Sequence, residues 1–295
     1  MSDIQHRDPA FNELSDDKLF AMLSHLKVPP SSLDKDAAWD NLMVGVRREQ
    51  RWERIKVGIT RWGVAAFILI IATSIIIEWQ FSTKKYNVPH GKIAYATLPD
   101  SSRITLNAGT ILKRKDYGFV NKREVVLEGE ALFDVKPSTI GFVVLAGEHK
   151  VIVLGTKFNV YYRNGVLEVK CISGEVEVTV NQVGTRVLRA GRGLYYSPEL
   201  TTFKEVRFES NRSAPWTKGE FYFNQASLNL VFEELERQFN IVIKAEDFNP
   251  SQRLYTGYFT KESFMNALDL VCIPMDLVYE IDRQAGVIRI SPANR

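Results

Sequence analysis

The stretch VVLEGEALFDVK, residues 125–136, decides the fold of the larger part of this chain. Val125, Leu127, Gly129, Ala131, Phe133 and Val135 fall on one side, with Glu128, Glu130, Asp134 and Lys136 on the other. Successive strand residues point to opposite faces, so this period of two predicts a half-buried β-strand. The pattern continues outward from Ile93 to about Tyr196. KFNVYY and VLEVKCI are separated by Arg163, Asn164 and Gly165, a hairpin signal, and Ser173 with Gly174 turns into EVEVTV. Twelve of the 18 glycines lie between Gly91 and Gly193, so short strands with tight turns should dominate. The block reads as an all-β domain, placed at residues 82–212. Glu128, Glu130 and Asp134 alternate on one strand face and raise general acid and base chemistry, but a solvated sheet face explains them better.

Downstream, at 213–295, the sequence repeats itself at an offset of 36 residues: Tyr222 and Phe223 match Tyr258 and Phe259, Ser227 matches Ser263, and Ile241 and Ile243 match Leu277 and Tyr279. Each copy reads strand, amphipathic helix, strand. Leu228, Val231, Phe232, Leu235 and Phe239 give the first helix one apolar face. Two such βαβ units predict a small α+β domain with helices packed on a sheet.

Upstream, WGVAAFILIIATSIII (62–77) contains no charge and extends through Trp79 and Phe81 with only Glu78 interrupting. Twenty residues of helix rise about 30 Å, one bilayer core, so residues 62–81 read as a transmembrane helix rather than a buried core helix. Arg47, Arg48, Arg51, Arg54, Lys56 and Arg61 precede the run, against Lys84, Lys85 and Lys92 after it. That excess predicts a cytoplasmic N-terminus. Residues 1–61 then form a short α-helical piece. Ser15 caps one helix bearing Leu19, Leu23 and Leu26, and a second begins near Asp34 with Trp39, Leu42, Met43 and Val46 on one face. The two helices can pack on each other or offer their apolar stripes to a partner.

Composition narrows the function classes. With 38 Lys and Arg against 35 Asp and Glu, the net charge of +3 is too small to imply a nucleic-acid surface. Two cysteines, Cys171 and Cys272, cannot make a metal framework, and they read as core thiols in separate domains rather than a disulfide. No GxSxG, HExxH, CxxC, Walker or GxGxxG motif is present. No enzyme, cofactor or metal is expected.

Four motifs in order, LPDSSRITLNAGT (98–110), REVVLEGEALFDV (123–135), VLGTKFNV (153–160) and VKCISGEVEV (169–178), closely resemble the FecR family of bacterial transmembrane anti-sigma factors. The tail APWTKGEFYFNQASLNLVFEELERQFNIVI resembles the C-terminal domain of Bacteroidetes members, itself similar to the short N-terminal domain of secretins and TonB-dependent receptors. DKDAAWDNLM resembles the family's stretch before the span, so the likeness covers residues 34–291. The resemblance implies an inner-membrane, single-pass regulator. Its cytoplasmic piece would hold an extracytoplasmic-function sigma factor through Leu19, Leu23, Leu26, Trp39, Leu42, Met43 and Val46. Its periplasmic part would receive a signal from an outer-membrane TonB-dependent transducer, with no direct nucleic-acid contact. The 61 residues before the span are fewer than many members use for sigma binding. Some FecR-type proteins also resemble self-cleaving proteins at the junction matched here by Gly155 and Thr156, where the alternative is a glycine bulge. A different class, a structural envelope protein anchoring a channel or secretion assembly through its secretin-like domain, would not need residues 1–46. A carbohydrate sensor would need Tyr161, Tyr162, Tyr195 and Tyr196 to form one exposed platform.

Overall fold

The computed structural model describes residues 82–209, 213–282 and 286–293, and before them residues 21, 24, 36, 37, 39–41, 43, 44, 64 and 66–75. The chain divides into two compact units, Met1–Ser74 and Ile75–Arg295. In the first, every described residue is helical, and residues 66–74 are exposed throughout. Among the described residues no helix is long and apolar enough to cross a membrane. The ends of the 62–81 run lie outside them.

The second unit begins with thirteen strands: β1 (Thr83–Asn87), β2 (Ala94–Thr97), β3 (Arg103–Leu106), β4 (Ile111–Lys115), β5 (Glu124–Asp134), β6 (Phe142–Ala146), β7 (His149–Val153), β8 (Lys157–Arg163), β9 (Val166–Ser173), β10 (Glu175–Val180), β11 (Gly184–Arg189), β12 (Arg192–Tyr196) and β13 (Lys204–Arg207). They form two layers that share β5. One runs β1-β4-β5-β6-β7-β10-β11 and the other β2-β3-β5-β8-β9-β12-β13. The first half of β5 pairs with β4 and, in parallel, with β6; the second half pairs with β3 and β8. At the junction Gly129 adopts φ +123°, and a Cβ there would lie 2.5 Å from Thr110 Oγ1. A glycine is required on both counts.

The alternating apolar residues of β5 point into one core. Phe133 stacks on Phe158 at 5.0 Å and meets Phe142 of the opposite layer edge-on at 6.0 Å. Asn164 and Gly165, at φ 50° and 78°, form the β8–β9 hairpin turn that the sequence predicts. Ser173 and Gly174 do not close a hairpin. β10 pairs with β7 and β11, so Gly174, at φ +84°, carries the chain across to the other layer. Cys171 is buried in this core and Cys272 in the next, both as free thiols, and burial pushes them up to about 11 and about 12.

The C-terminal α+β part runs β14 (Glu220–Ser227), α1 (Leu228–Phe239), β15 (Val242–Ala245), β16 (Leu254–Thr260), α2 (Phe264–Cys272), β17 (Leu277–Asp282) and β18 (Val287–Pro292). The matched serines do the same work in both copies: Ser227 and Ser263 cap the two helices, accepting from the N–H groups of Leu230 and Asn266. The 36-residue offset becomes a local twofold. β14 and β16 pair antiparallel with Tyr222 opposite its own equivalent Tyr258, rings 5.9 Å apart. The two units do not build a single sheet. β14 and β16 make a two-stranded ribbon, while β18 enters between β15 and β17 to make a three-stranded sheet. Ile288 and Ile290 on β18 are buried in the core, which is what its insertion gains.

Gly129→Ala should lower the stability of the folded chain by at least about 2 kcal/mol in chemical unfolding, combining positive φ with overpacking on Thr110. Gly118→Ala, at φ +68° with nothing within 4 Å of the new Cβ, should lose only about 1 kcal/mol. Equal losses would show that the Thr110 contact does not constrain β5.

Candidate functional site

The kink at Gly129 delivers the next residue, Glu130, to the outer face of the β2–β13 layer. Its N–H donates to Thr110 Oγ1 at 3.1 Å, and its carbonyl accepts from Asn107 N–H at 2.9 Å. The backbone is thus fixed before the side chain makes any contact. The carboxylate accepts from Asn107 Nδ2 and Asn159 Nδ2, both at 2.9 Å. Each amide then reaches into the C-terminal part with its oxygen. Asn107 Oδ1 accepts from Gln238 Nε2 at 3.0 Å, and Asn159 Oδ1 accepts from the Trp216 indole at 3.1 Å.

Gln238 belongs to the last turn of α1, and Trp216 to a single 3-10 turn, Pro215–Lys218. α1 supplies a second set of partners. Glu234 accepts from Gln238 Nε2 at 2.7 Å and from Arg237 at 2.8 and 3.0 Å. The loop after β1 closes the end of the helix: Gly91 N–H donates to the Arg237 carbonyl at 2.7 Å, and Lys261 Nζ donates to the Gly91 carbonyl at 2.8 Å. Beside this polar seam, Ile93 and Leu132 pack into the C-terminal core. The β-domain and the α+β part therefore share both a hydrogen-bond network and a hydrophobic contact.

Burial pushes the Glu130 carboxyl up to about 7, reinforced by the nearby Glu234 carboxylate and opposed by the two asparagine amides and Lys170. This corrects the sequence expectation. Glu128 is exposed and Asp134 pairs with Arg103 at 3.0 Å, as residues of a solvated face do, but Glu130 is half-buried beside Trp216, Glu234 and Arg237 of the C-terminal part. Its partners tie the β-domain to the C-terminal part, so the arrangement is a clamp. Among the described residues no group of His, Cys, Asp and Glu could hold a metal.

Beside the seam lies a cleft of about 230 Å³, whose lining includes Tyr161, Glu168, Lys170, Tyr195, Tyr222 and Phe223. The four tyrosines do not form one platform. Tyr161 and Tyr195 both lie opposite Glu168 and face the cleft, whereas Tyr162 and Tyr196 lie opposite Leu167 and turn their rings to His149, at 5.8 and 5.3 Å.

Gly155 and Thr156 lie where the chain passes from β7 to β8, between the layers. A Cβ at Gly155 would come within 2.6 Å of Pro137 Cα, and the buried Thr156 hydroxyl donates to the Glu175 carbonyl at 2.8 Å. Of the residues assigned to sigma binding, Leu19, Leu23, Leu26, Leu42 and Val46 lie outside the described residues. Trp39 is helical and 62% exposed, and Met43 is helical and half-buried.

The sequence reading missed Asn107, Asn159, Trp216, Arg237 and Gln238. Asn107 and Gln238 are 131 positions apart, and nothing in local periodicity pairs them. A signal was nonetheless present. Asn107, Glu130 and Asn159 each lie within a different motif of the four quoted above, and the structure brings these three to one point.

Glu130 has a stability signature. Between its ordinary 4.5 and about 7 the folded chain retains a proton that the unfolded chain has released, so its contribution falls as pH rises through that window and levels off above it. Thermal melts of residues 82–295 at several pH values should show this fall in wild type and not in Glu130→Gln. Parallel pH profiles for the two proteins would contradict the placement.

Comparison with known proteins supports this architecture as a recurrent one. The FecR protein family matches residues 84–177, and the FecR C-terminal family matches residues 220–288. No curated protein matches the chain. Two crystal structures of a candidate anti-sigma factor from Parabacteroides distasonis ATCC 8503, at 2.50 and 1.65 Å, are similar with a TM-score of 0.65 each. They are 23% and 24% identical to this chain, and the match covers 72% of it and 100% of theirs. At that identity the likeness speaks for the fold. The two family matches fall on the two bodies that the Glu130 seam joins, and the chain belongs to the FecR family.

Proposed function

We propose that this chain is a single-pass inner-membrane anti-sigma factor. Residues 1–61 hold an extracytoplasmic-function sigma factor in the cytoplasm, residues 62–81 cross the bilayer, and the remainder lies in the periplasm. There the C-terminal part receives the signal of an outer-membrane TonB-dependent transducer. The observation that most supports the relay is the buried seam: a load applied to α1 reaches β5 through Gln238, Asn107 and Glu130 without crossing a flexible linker. Family membership and the helical, exposed residues 66–75 support the regulatory role and the span. The exposed Trp39 indole suits an anchor for the sigma factor.

The test has two arms in cells that contain the cognate sigma factor. A chain carrying Trp39→Ala and Leu42→Ala should capture its sigma factor at least about thirtyfold less well, the loss expected of about 2 kcal/mol at a buried aromatic anchor. Deleting residues 213–295 should abolish induction while the protein still resists alkaline extraction from membranes. Undiminished capture, or normal induction by the truncated chain, would overturn the corresponding half of the reading.

Self-cleavage between Gly155 and Thr156 extends the same proposal. The Thr156 hydroxyl would attack the Gly155 carbonyl carbon, shifting the peptide bond to an ester and freeing the Thr156 amine, and water would then open the ester. In the intact chain that hydroxyl is engaged with Glu175, so it must turn before it attacks. Because β7 and β8 are held by different layers, the fragments would stay folded together. Denaturing electrophoresis of residues 82–295 should give two bands that merge into one in Thr156→Ala and persist in Thr156→Ser. A single wild-type band after long incubation would reject cleavage in the isolated part.

A further inference from the structure

The strand nearest the apolar run gathers lysines that are far apart in the sequence. β1 starts at Thr83, two residues beyond Phe81, and its pairing with β4 sets Lys85 opposite Lys113 and Thr83 opposite Lys115. β4 in turn sets Lys113 opposite Val126 of β5. Leu112, Val125 and Leu127 point into the core, so Lys85, Lys113, Lys115 and Val126 share the outer face. Lys122, from the connection before β5, joins Lys113, Lys115 and Val126 around a cleft of about 210 Å³. Lys84 stands at the edge of the same layer over the Tyr86 ring, at 5.8 Å.

Few acids answer these charges. Glu124 pairs with Lys122 at 3.2 Å, and Asp116 pairs with the buried Arg114 at 2.6 Å. Among the described residues, Lys85, Lys113 and Lys115 are in no ion pair. Exposed apolar groups border the lysines: Tyr117, Val120 and Val126 are 50%, 54% and 42% exposed. A face of lysines with interspersed aromatic and aliphatic groups suits the headgroup layer of a bilayer, where phosphates meet the ammonium groups and apolar side chains enter the interface.

Chain length supplies the second argument and rests on the proposed span at 62–81. Two residues of extended chain reach about 7 Å, so a domain that starts at Thr83 cannot stand far from the membrane it follows. We propose that the face formed by β1, β4 and the Lys122 turn docks on anionic phospholipid headgroups of the bilayer that the chain crosses. The contact fixes which way the β-domain sits on the membrane, so that a pull on the C-terminal part has a defined direction. It also accounts for a basic cluster that periplasmic folding assembles after insertion, since Lys113, Lys115 and Lys122 lie too far along the chain to count in the orientation signal.

Residues 82–295 are suited to the test. Both hydrophobic cores lie within them, and the Parabacteroides chains that crystallised match in full while covering 72% of this one. The purified part should co-sediment with vesicles containing phosphatidylglycerol, not with pure phosphatidylcholine, and salt should release it. At about fivefold for each lysine removed, Lys113→Glu with Lys115→Glu should weaken binding by about 25-fold or more. Lys244→Glu, an exposed site on β15, should leave it unchanged. All three substituted lysines are exposed, and the circular dichroism of each variant should match wild type.

Equal binding to both vesicle types, an unaffected double variant, or full competition by inorganic phosphate would each overturn the proposal, the last by making the site one for free anions. Alkaline extraction of the full chain separates this surface from the span. A chain that washes off while residues 82–295 still bind anionic vesicles refutes the span and keeps the surface. The opposite pair of results refutes the surface and keeps the span.

Discussion

One strand has to serve two sheets, and the rest of the β-domain follows from how it does so. β5 gives its first half to the β4 and β6 side and its second half to β3 and β8. The change of partner needs a backbone conformation at residue 129 that L-residues avoid, in a space where Thr110 leaves no room for a Cβ. The same turn that admits β5 to the second layer places Glu130 on that layer's outer face. A constraint of the core therefore sets the position of the seam, and a side chain at residue 129 would disturb both.

The seam is polar where a hydrophobic joint would have been simpler, and its polarity has a consequence. A buried donor or acceptor left without a partner costs about 1–3 kcal/mol, so a network such as Asn107, Asn159, Glu130, Trp216 and Gln238 tolerates one arrangement and penalises its neighbours. Leu132 and Ile93 supply adhesion to the C-terminal core, while the amides and the carboxylate supply register. Joints of this kind transmit displacement because they resist sliding. Glu130 adds a sensitivity to pH, since its ionised form is the less comfortable one in the closed seam.

The sequence was legible wherever structure is governed by short-range periodicity. The alternation in VVLEGEALFDVK, the Asn164–Gly165 turn and the two helices of the 36-residue repeat all appear as read. It was illegible where a residue's environment is set by a distant part of the chain. Glu130 alternates like its solvated neighbours, and only the C-terminal part beside it makes its surroundings differ from theirs. The crossing at Gly174 looks locally like a turn because glycine at positive φ serves both purposes, and the choice rests on which strand edge is open. The entry of β18 between the two repeats likewise depends on a vacancy that exists only in three dimensions.

The central claim is that the C-terminal part and the β-domain behave as one body because the seam at Glu130 joins them. Differential scanning calorimetry of residues 82–295 tests this directly. The account predicts one cooperative transition, which splits in two when Asn107→Ala and Gln238→Ala remove the facing amides while leaving both hydrophobic cores intact. Two independent transitions in the wild-type protein would contradict it.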